Sequence, residues 1–227
     1  MTDIAQALAG VRQRIAQAAT AAGRDPAGIT LLAVSKTKPV EMIRAAHAAG
    51  QVAFGENYLQ DALPKIAALQ ELDLEWHYIG RIQSNKTREI AANFAWVHGI
   101  DKLKHAQRLN HQRDPAQPPL QCCIQVNLSG EASKGGVTRE QLPALARDLV
   151  TLPRLRLRGL MTMPDPGSDR ATQSAMFAEL AALREQLNTG GLALDTLSMG
   201  MSGDLELAIA AGSTLVRVGT DIFGARD

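Results

Sequence analysis

The strongest constraint on this chain is a rhythm. Eight short runs rich in apolar and β-branched residues recur along it: ITLLAVSK (29–36), QVAFGEN (51–57), EWHYIG (75–80), FAWVHGI (94–100), LQCCIQVN (120–127), LRLRGLMTM (155–163), LDTLSMGM (194–201) and STLVRVG (213–219). Such runs are too short for helices and read as strands buried on both faces. Between them the spacing predicts helices over 40–49, 59–69, 84–93, 102–111, 138–150, 171–187 and 205–211. A further helix over 3–22 precedes the first strand, with Ile4, Leu8, Val11 and Ile15 on one stripe and Gly23 as its stop. Eight strand–helix units at intervals of roughly 20 to 35 residues predict a (β/α)8 barrel with an extra N-terminal helix. A doubly wound open sheet uses the same alternation, but the count of eight favours closure. No low-complexity segment or interior linker divides residues 1–227, so one domain is expected.

Charge and cysteine usage narrow the function classes. The 24 Lys+Arg and 23 Asp+Glu leave a formal net charge of +1, with the signs interspersed, so nucleic acid is not an expected partner. No apolar run approaches the ~18 residues of a membrane span. The N-terminus also lacks the charged and apolar regions of a secretory leader. Cys122 and Cys123 are adjacent, and neighbours on a strand face opposite ways, which disfavours a disulfide. A cytoplasmic protein with reduced thiols is expected. The histidines, His47, His77, His98, His105 and His111, show no HxH or HExxH spacing, so they are read as surface or satisfied core positions rather than metal ligands.

In such a barrel, functional groups gather at the C-terminal ends of the strands. Those ends carry Ser35-Lys36-Thr37, Gly55-Glu56-Asn57, Gly80-Arg81, His98-Gly99, Asn127, Met161-Thr162, Ser198 to Ser202, and Arg217 to Thr220. Lys36, closing the first strand, stands out. Partial desolvation would lower its pKa and make the neutral amine a nucleophile for an aldehyde. A lysine that snorkels to solvent, or pairs with Glu56, is the structural alternative. Ser202-Gly203-Asp204 before a helix and Gly219-Thr220 after the last strand offer backbone N–H groups for an anion, where barrels often hold phosphate. A serine helix cap explains Ser202 equally well. A first-strand lysine facing a phosphate site suits a phosphorylated aldehyde such as pyridoxal 5′-phosphate (PLP). Arg217, permanently charged, would disfavour protonation of the pyridine nitrogen and weaken the ring as an electron sink. A structural ion pair is its other reading.

The strings AVSKTKP, FGENYLQD, WHYIGRIQSNK, LRGLMTM, LSMGMSGDLELAI and GSTLVRVGTDIFGAR, in this order and along nearly the whole chain, resemble the PLP homeostasis proteins of the PROSC type without departure. That family is similar in fold to the N-terminal domain of alanine racemase (PLP fold type III). The resemblance implies that Lys36 carries PLP as an internal aldimine, a Schiff base. It further implies that Ser202, Gly219 and Thr220 hold the phosphate, that Arg217 faces the pyridine nitrogen and that Asn57 lines the ring pocket. It implies a role in vitamin B6 and amino-acid homeostasis without robust turnover, storing PLP and delivering it to apo PLP-dependent enzymes.

An amino-acid racemase is the alternative. Two-base racemisation needs a second acid/base group. In the racemases that group is a tyrosine from an additional β domain of a dimer partner. This chain stops at Asp227, just after the eighth strand, so the domain and the dimer are not expected, and a monomer is. Tyr58 and Tyr78 are expected in or near the pocket. A cofactor-free lysine aldolase would use Lys36 alone. The segment 128–136 reads either as a flap over the barrel mouth or as an ordinary glycine loop. Met161, Met163, Met199 and Met201 serve either to line a flat ring or to fill the core.

Overall fold

The computed structural model describes residues 3–130, 135–165 and 167–225. Its eight strands are β1 (Thr30–Val34), β2 (Ala53–Glu56), β3 (Glu75–Tyr78), β4 (Trp96–Ile100), β5 (Leu120–Gln125), β6 (Leu155–Met161), β7 (Thr196–Ser198) and β8 (Leu215–Val218). They pair in sequence order, all parallel, and β1 pairs with β8, with Leu31 opposite Val216, so the barrel closes. Each expected strand is present, trimmed by a few residues at its ends. The helices are α1 (Ile4–Ala21), α2 (Val40–Ala48), α3 (Leu59–Ala68), α4 (Thr87–Asn93), α5 (Leu103–Gln112), α6 (Leu142–Leu149), α7 (Arg170–Thr189), α8 (Leu205–Ala210) and α9 (Thr220–Phe223).

Local chemistry explains the boundaries. Asp3 caps α1 by accepting from the Gln6 N–H. The stripe Ile4, Leu8, Val11, Ile15 and Ala19 is buried against α2, α8 and α9, and the chain leaves through Gly23 at φ +67°. The helix expected from residue 138 begins at Leu142. Thr138 and Gln141 instead close a turn on each other, and Pro143 sits in the first helical turn, where its missing N–H costs nothing. Two short pieces, the 3-10 turn Pro26–Gly28 and α9, have no periodicity long enough to read in sequence.

The strands alternate between two environments. Outward residues such as Ala33, Phe54, Val97, Leu160 and Val216 join the helices in the main core. Inside the barrel, Leu32, Ala53 and Leu215 form one small apolar cluster, and Trp96, Cys123 and Met161 another. The adjacent cysteines divide as expected. Cys122 packs in the outer core and Cys123 in the lumen, both as free thiols. Polar groups share the lumen with them: His77, His98, Ser198 and Arg217 are all buried there.

Candidate functional site

At the C-terminal ends of the strands lies a cavity of about 230 Å³ whose lining includes Lys36, Asn57, Ser202, Arg217, Gly219 and Thr220. All six residues singled out from the sequence therefore meet in one place. The volume falls below the ~300–1,000 Å³ of pockets for drug-sized molecules, so it suits a compact ligand. A larger cavity of about 470 Å³ lies elsewhere, against α1 and β1, where Arg12 is already bonded to Ala49 O and Gln51 Oε1. Its size brings no reactive group with it.

Lys36 is half-buried in the turn that follows β1. That turn is clamped from behind. Thr37 sits at φ +64°, a strained conformation for a β-branched residue, and its N–H donates to Asp61 Oδ2 at 2.7 Å. Lys65 Nζ donates to the same Asp61 oxygen (2.7 Å), to Ser35 O (2.9 Å) and to Glu56 Oε1 (3.0 Å). Ser35 Oγ donates to Glu56 Oε1 at 2.6 Å. Glu56, considered from sequence as a partner for Lys36, is thus held by Ser35 and Lys65 outside the cavity, because its strand position points outward between β1, β2 and α3. Burial pushes the Glu56 carboxyl up, against the pull of Ser35 and Lys65.

Asn57 follows β2, and its Oδ1 is buried with no hydrogen-bond partner among the described residues. An orphaned acceptor lining a cavity is what a ligand donor would satisfy. Gly80 makes this geometry possible, since a Cβ there would stand 2.0 Å from the Asn57 carbonyl oxygen. Arg217 reaches into the cavity from β8. It donates through Nη1 to Ser198 O (2.6 Å) and Ser198 Oγ (2.7 Å) and through Nη2 to Thr162 O (3.0 Å). Carbonyls and a hydroxyl hold it, rather than the ion pair considered from sequence, and two of its five N–H groups have no acceptor among the described residues. Burial pushes its pKa down to about 10, with Asp204 pulling the other way, so it stays charged at neutral pH.

The opposite wall is made of backbone. Gly219 caps α9 and Thr220 opens it. A Cβ on Gly219 would press to 3.2 Å from Val34 O. Ser202 is not the cap of α8; that position belongs to Asp204, whose Oδ1 accepts from the Met201 N–H at 2.5 Å. Ser202 is left to line the cavity, its carbonyl held by Arg14 Nη2 at 2.9 Å.

The family model for the alanine racemase N-terminal domain matches residues 7–227. The pyridoxal phosphate homeostasis protein of Pseudomonas aeruginosa is 61% identical over 227 residues, spanning 100% of this chain and 97% of that protein. The protein of the same name from Escherichia coli strain K12 is 54% identical over 230 residues, spanning 100% and 98%. This chain belongs to the pyridoxal phosphate homeostasis protein family. Among solved structures, PipY of Synechococcus elongatus PCC7942 with PLP bound superposes at a TM-score of 0.86 and 38% identity, covering 97% of this chain and 100% of that one.

Lys38, Ile79 and Gly224, which are not among the residues expected from the sequence, also line the cavity. Lys38 Nζ is bonded to Ala225 O at 2.6 Å, which ties the first-strand turn to the C-terminal segment. No spacing signals that contact. Of the four methionines, Met163 and Met201 line the cavity, whereas Met161 and Met199 are core. The tyrosines, expected in or near the pocket, lie beside the cavity rather than in it. Tyr58 is 58% exposed, Tyr78 donates to Arg81 O at 3.1 Å, and both line a separate groove that shares only Asn57 with the cavity. Of the segment considered as a flap, residues 131–134 lie outside the described residues. Its flanks are pinned where Val126 bridges Val137 and Gln125 Nε2 donates to Gly135 O. No group of three or more potential metal ligands occurs among the described residues, and no described helix is long and apolar enough to cross a membrane.

Proposed function

We propose that this protein binds pyridoxal 5′-phosphate in the cavity at the top of the barrel and acts in PLP homeostasis as a cytoplasmic store and carrier. The observation that carries the reading is the convergence, in one cavity of about 230 Å³, of Lys36, the charged Arg217 and the glycine-cradled start of α9. The orphaned Asn57 Oδ1 supports it, as do PLP homeostasis proteins among the relatives and the PLP-bound state of PipY.

Bound there, the cofactor supplies an aldehyde carbon to which a neutral amine attaches reversibly with loss of water. Lys36 is the amine, presented by a turn that Asp61 and Lys65 hold in one conformation. Ser202, with the backbone N–H groups of Gly219 and Thr220, takes the phosphate, where the orphan N–H groups of a helix start favour an anion. Arg217 faces the pyridine nitrogen and keeps a proton off it, because a second positive charge beside the guanidinium is disfavoured. Asn57 offers its unpartnered oxygen to a donor on the ring.

A carrier needs a reversible anchor and a muted ring, and this set provides both. A two-base racemase would need a second acid/base group over the ring, and neither tyrosine lines the cavity. Delivery goes to apo PLP-dependent enzymes. The protein acts as a monomer, in keeping with only four exposed large apolar side chains among the described residues. The test is an absorption spectrum of the PLP-loaded protein, then borohydride reduction and peptide mass mapping. A pyridoxyl group on Lys36, absent in Lys36→Ala with the fold intact, supports the reading; an adduct on another lysine overturns it. Turnover of alanine or another amino acid on the same sample would favour the racemase.

A further inference from the structure

Arg217 is the upper end of a hydrogen-bonded chain that runs down the inside of the barrel. Its Nη1 donates to Ser198 Oγ at 2.7 Å. Ser198 Oγ lies 2.8 Å from His98 Nδ1, His98 Nε2 lies 2.9 Å from His77 Nδ1, and His77 Nε2 lies 2.8 Å from Glu75 Oε1. Strands β8, β7, β4 and β3 supply the members in turn. His77, His98, Ser198 and Arg217 are buried, while the Glu75 side chain is 46% exposed.

Hydrogen-bond chemistry gives this chain one direction. An ionised carboxylate only accepts, so His77 Nε2 carries the proton toward Glu75. A neutral His77 then accepts at Nδ1, which requires a proton on His98 Nε2. A neutral His98 accepts at Nδ1, which requires the Ser198 hydroxyl to donate to it. The lone pairs of Ser198 Oγ are thereby turned toward Arg217, which can only donate. Every link of the chain then pairs one donor with one acceptor. Reversing any link leaves two donors or two acceptors face to face.

We infer that Glu75, His77, His98 and Ser198 are positioning residues for Arg217, acting as one proton-ordered chain that spans the barrel lumen. The inference rests on the reading of the cavity as a PLP site only in what Arg217 faces; the proton order stands on the chain itself. The charged groups around the chain fit it. At the lower mouth Arg158 forks onto Asp195, at 2.6 Å for the nearest pair, which leaves Glu75 as the carboxylate that orients His77. At the upper end Asp204 is the acidic group that acts on Arg217. His77 stacks on Trp96 with ring centroids 5.3 Å apart and planes 5° from parallel, which fixes its ring. Burial holds both histidines below the ordinary imidazole range, and His77 and Arg217 push His98 lower still. A protonated His98 would aim Nδ1–H at Ser198 Oγ, displace the serine proton and place a second cation near Arg217.

The test begins on the ligand-free protein. Long-range proton–nitrogen correlations on ¹⁵N-labelled imidazoles at pH 7 are expected to give neutral Nε2–H tautomers for His77 and His98. In Glu75→Gln, whose amide can donate or accept, Nδ1–H signals are expected to appear. An Nδ1–H tautomer or an imidazolium at His98 in the native chain overturns the inference. The second arm reads PLP affinity: Ser198→Ala is expected to bind about tenfold more weakly and Ser198→Thr within about twofold, as for the loss or retention of one charge-assisted hydrogen bond. Unchanged affinity in a folded Ser198→Ala overturns the positioning role. Failure to find PLP on Lys36 would sink the site reading, whereas the tautomers test the chain independently.

Discussion

Lys65→Met is the sharpest test of how the turn carrying Lys36 is held. Lys65 is 5% exposed, and its ammonium is shared among Ser35 O, Glu56 Oε1 and Asp61 Oδ2. Methionine nearly keeps the stem volume but removes all three donors. Glu56, fully buried with Oε2 already unpartnered, then loses the only counter-ion it has among the described residues, at 3.0 Å. Breaking a buried pair from one side costs about 3–5 kcal/mol. Half-exposed Asp61 adds little to that. For 227 residues the unfolding entropy converts each kcal/mol into about 2 °C, so Tm is expected to fall by about 6–10 °C at pH 7–8. The sign with pH is defined. In the variant the folded-state Glu56 pKa rises further above its unfolded value, so the fold is favoured below the unfolded pKa and loses stability as pH rises. The loss should therefore shrink at pH 5. Thermal scans of Lys65→Met at pH 5 and 8 check this. Glu56→Gln added to Lys65→Met should recover at least half of the deficit, because no uncompensated charge remains. A deficit below about 1 kcal/mol at pH 8, or one equal at both pH values, would refute the reasoning.

Other perturbations separate fold from site. Asn57→Leu should barely change the Tm of the ligand-free protein, since its Oδ1 has no partner there, yet weaken PLP binding by about 5- to 30-fold, as fluorescence titration would measure. Gly200→Ala places a Cβ 2.6 Å from Ala208 Cβ at φ +96°, and should cost about 2–4 kcal/mol in urea titration; a cost below 1 kcal/mol would mean the β7–α8 turn relaxes freely. Burial lowers the pKa of His77, His98 and His105 in the folded state. Stability is therefore full above the unfolded histidine pKa of about 6.5 and falls as pH drops below it, by up to about 1.4 kcal/mol per pH unit for each histidine. Denaturant titrations between pH 8 and 5 test that slope. Burial pushes the Cys123 thiol up to about 12 and Cys122 well above its ordinary value, so neither should react with a thiol reagent at pH 8 until the protein unfolds.

Much of the architecture was legible because it depends on local pattern. Strand runs, helical stripes and Gly23 follow from periodicities that any window of the chain displays. The closed barrel follows from their number. All six residues expected at the site line one cavity, because strand ends are readable and a barrel gathers them on one rim. What the sequence left open is settled by where each side chain points in the fold. Tyr58 follows Asn57 directly, yet it turns outward to 58% exposure as the chain enters α3. Glu56 sits one residue before Asn57, and strand alternation sends it away from the cavity.

By itself, then, the sequence determined the order of elements, the two-faced environment of the strands and the rim on which Lys36, Ser202, Arg217 and Gly219 lie. Tertiary structure decided which distant groups touch. Lys65 reads as one more cation on a helix until α3 packs it over Ser35 and Glu56. His77 and His98 read as separate surface or satisfied core positions, 21 residues apart, until neighbouring strands set them 2.9 Å from each other, while Ser198 arrives from a strand 100 residues further on. Periodicity is a one-dimensional property and survives in any stretch of chain. Proton order, charge compensation and the fit of a cavity depend on distances of about 3 Å between residues far apart in sequence, and those exist only once the barrel has closed.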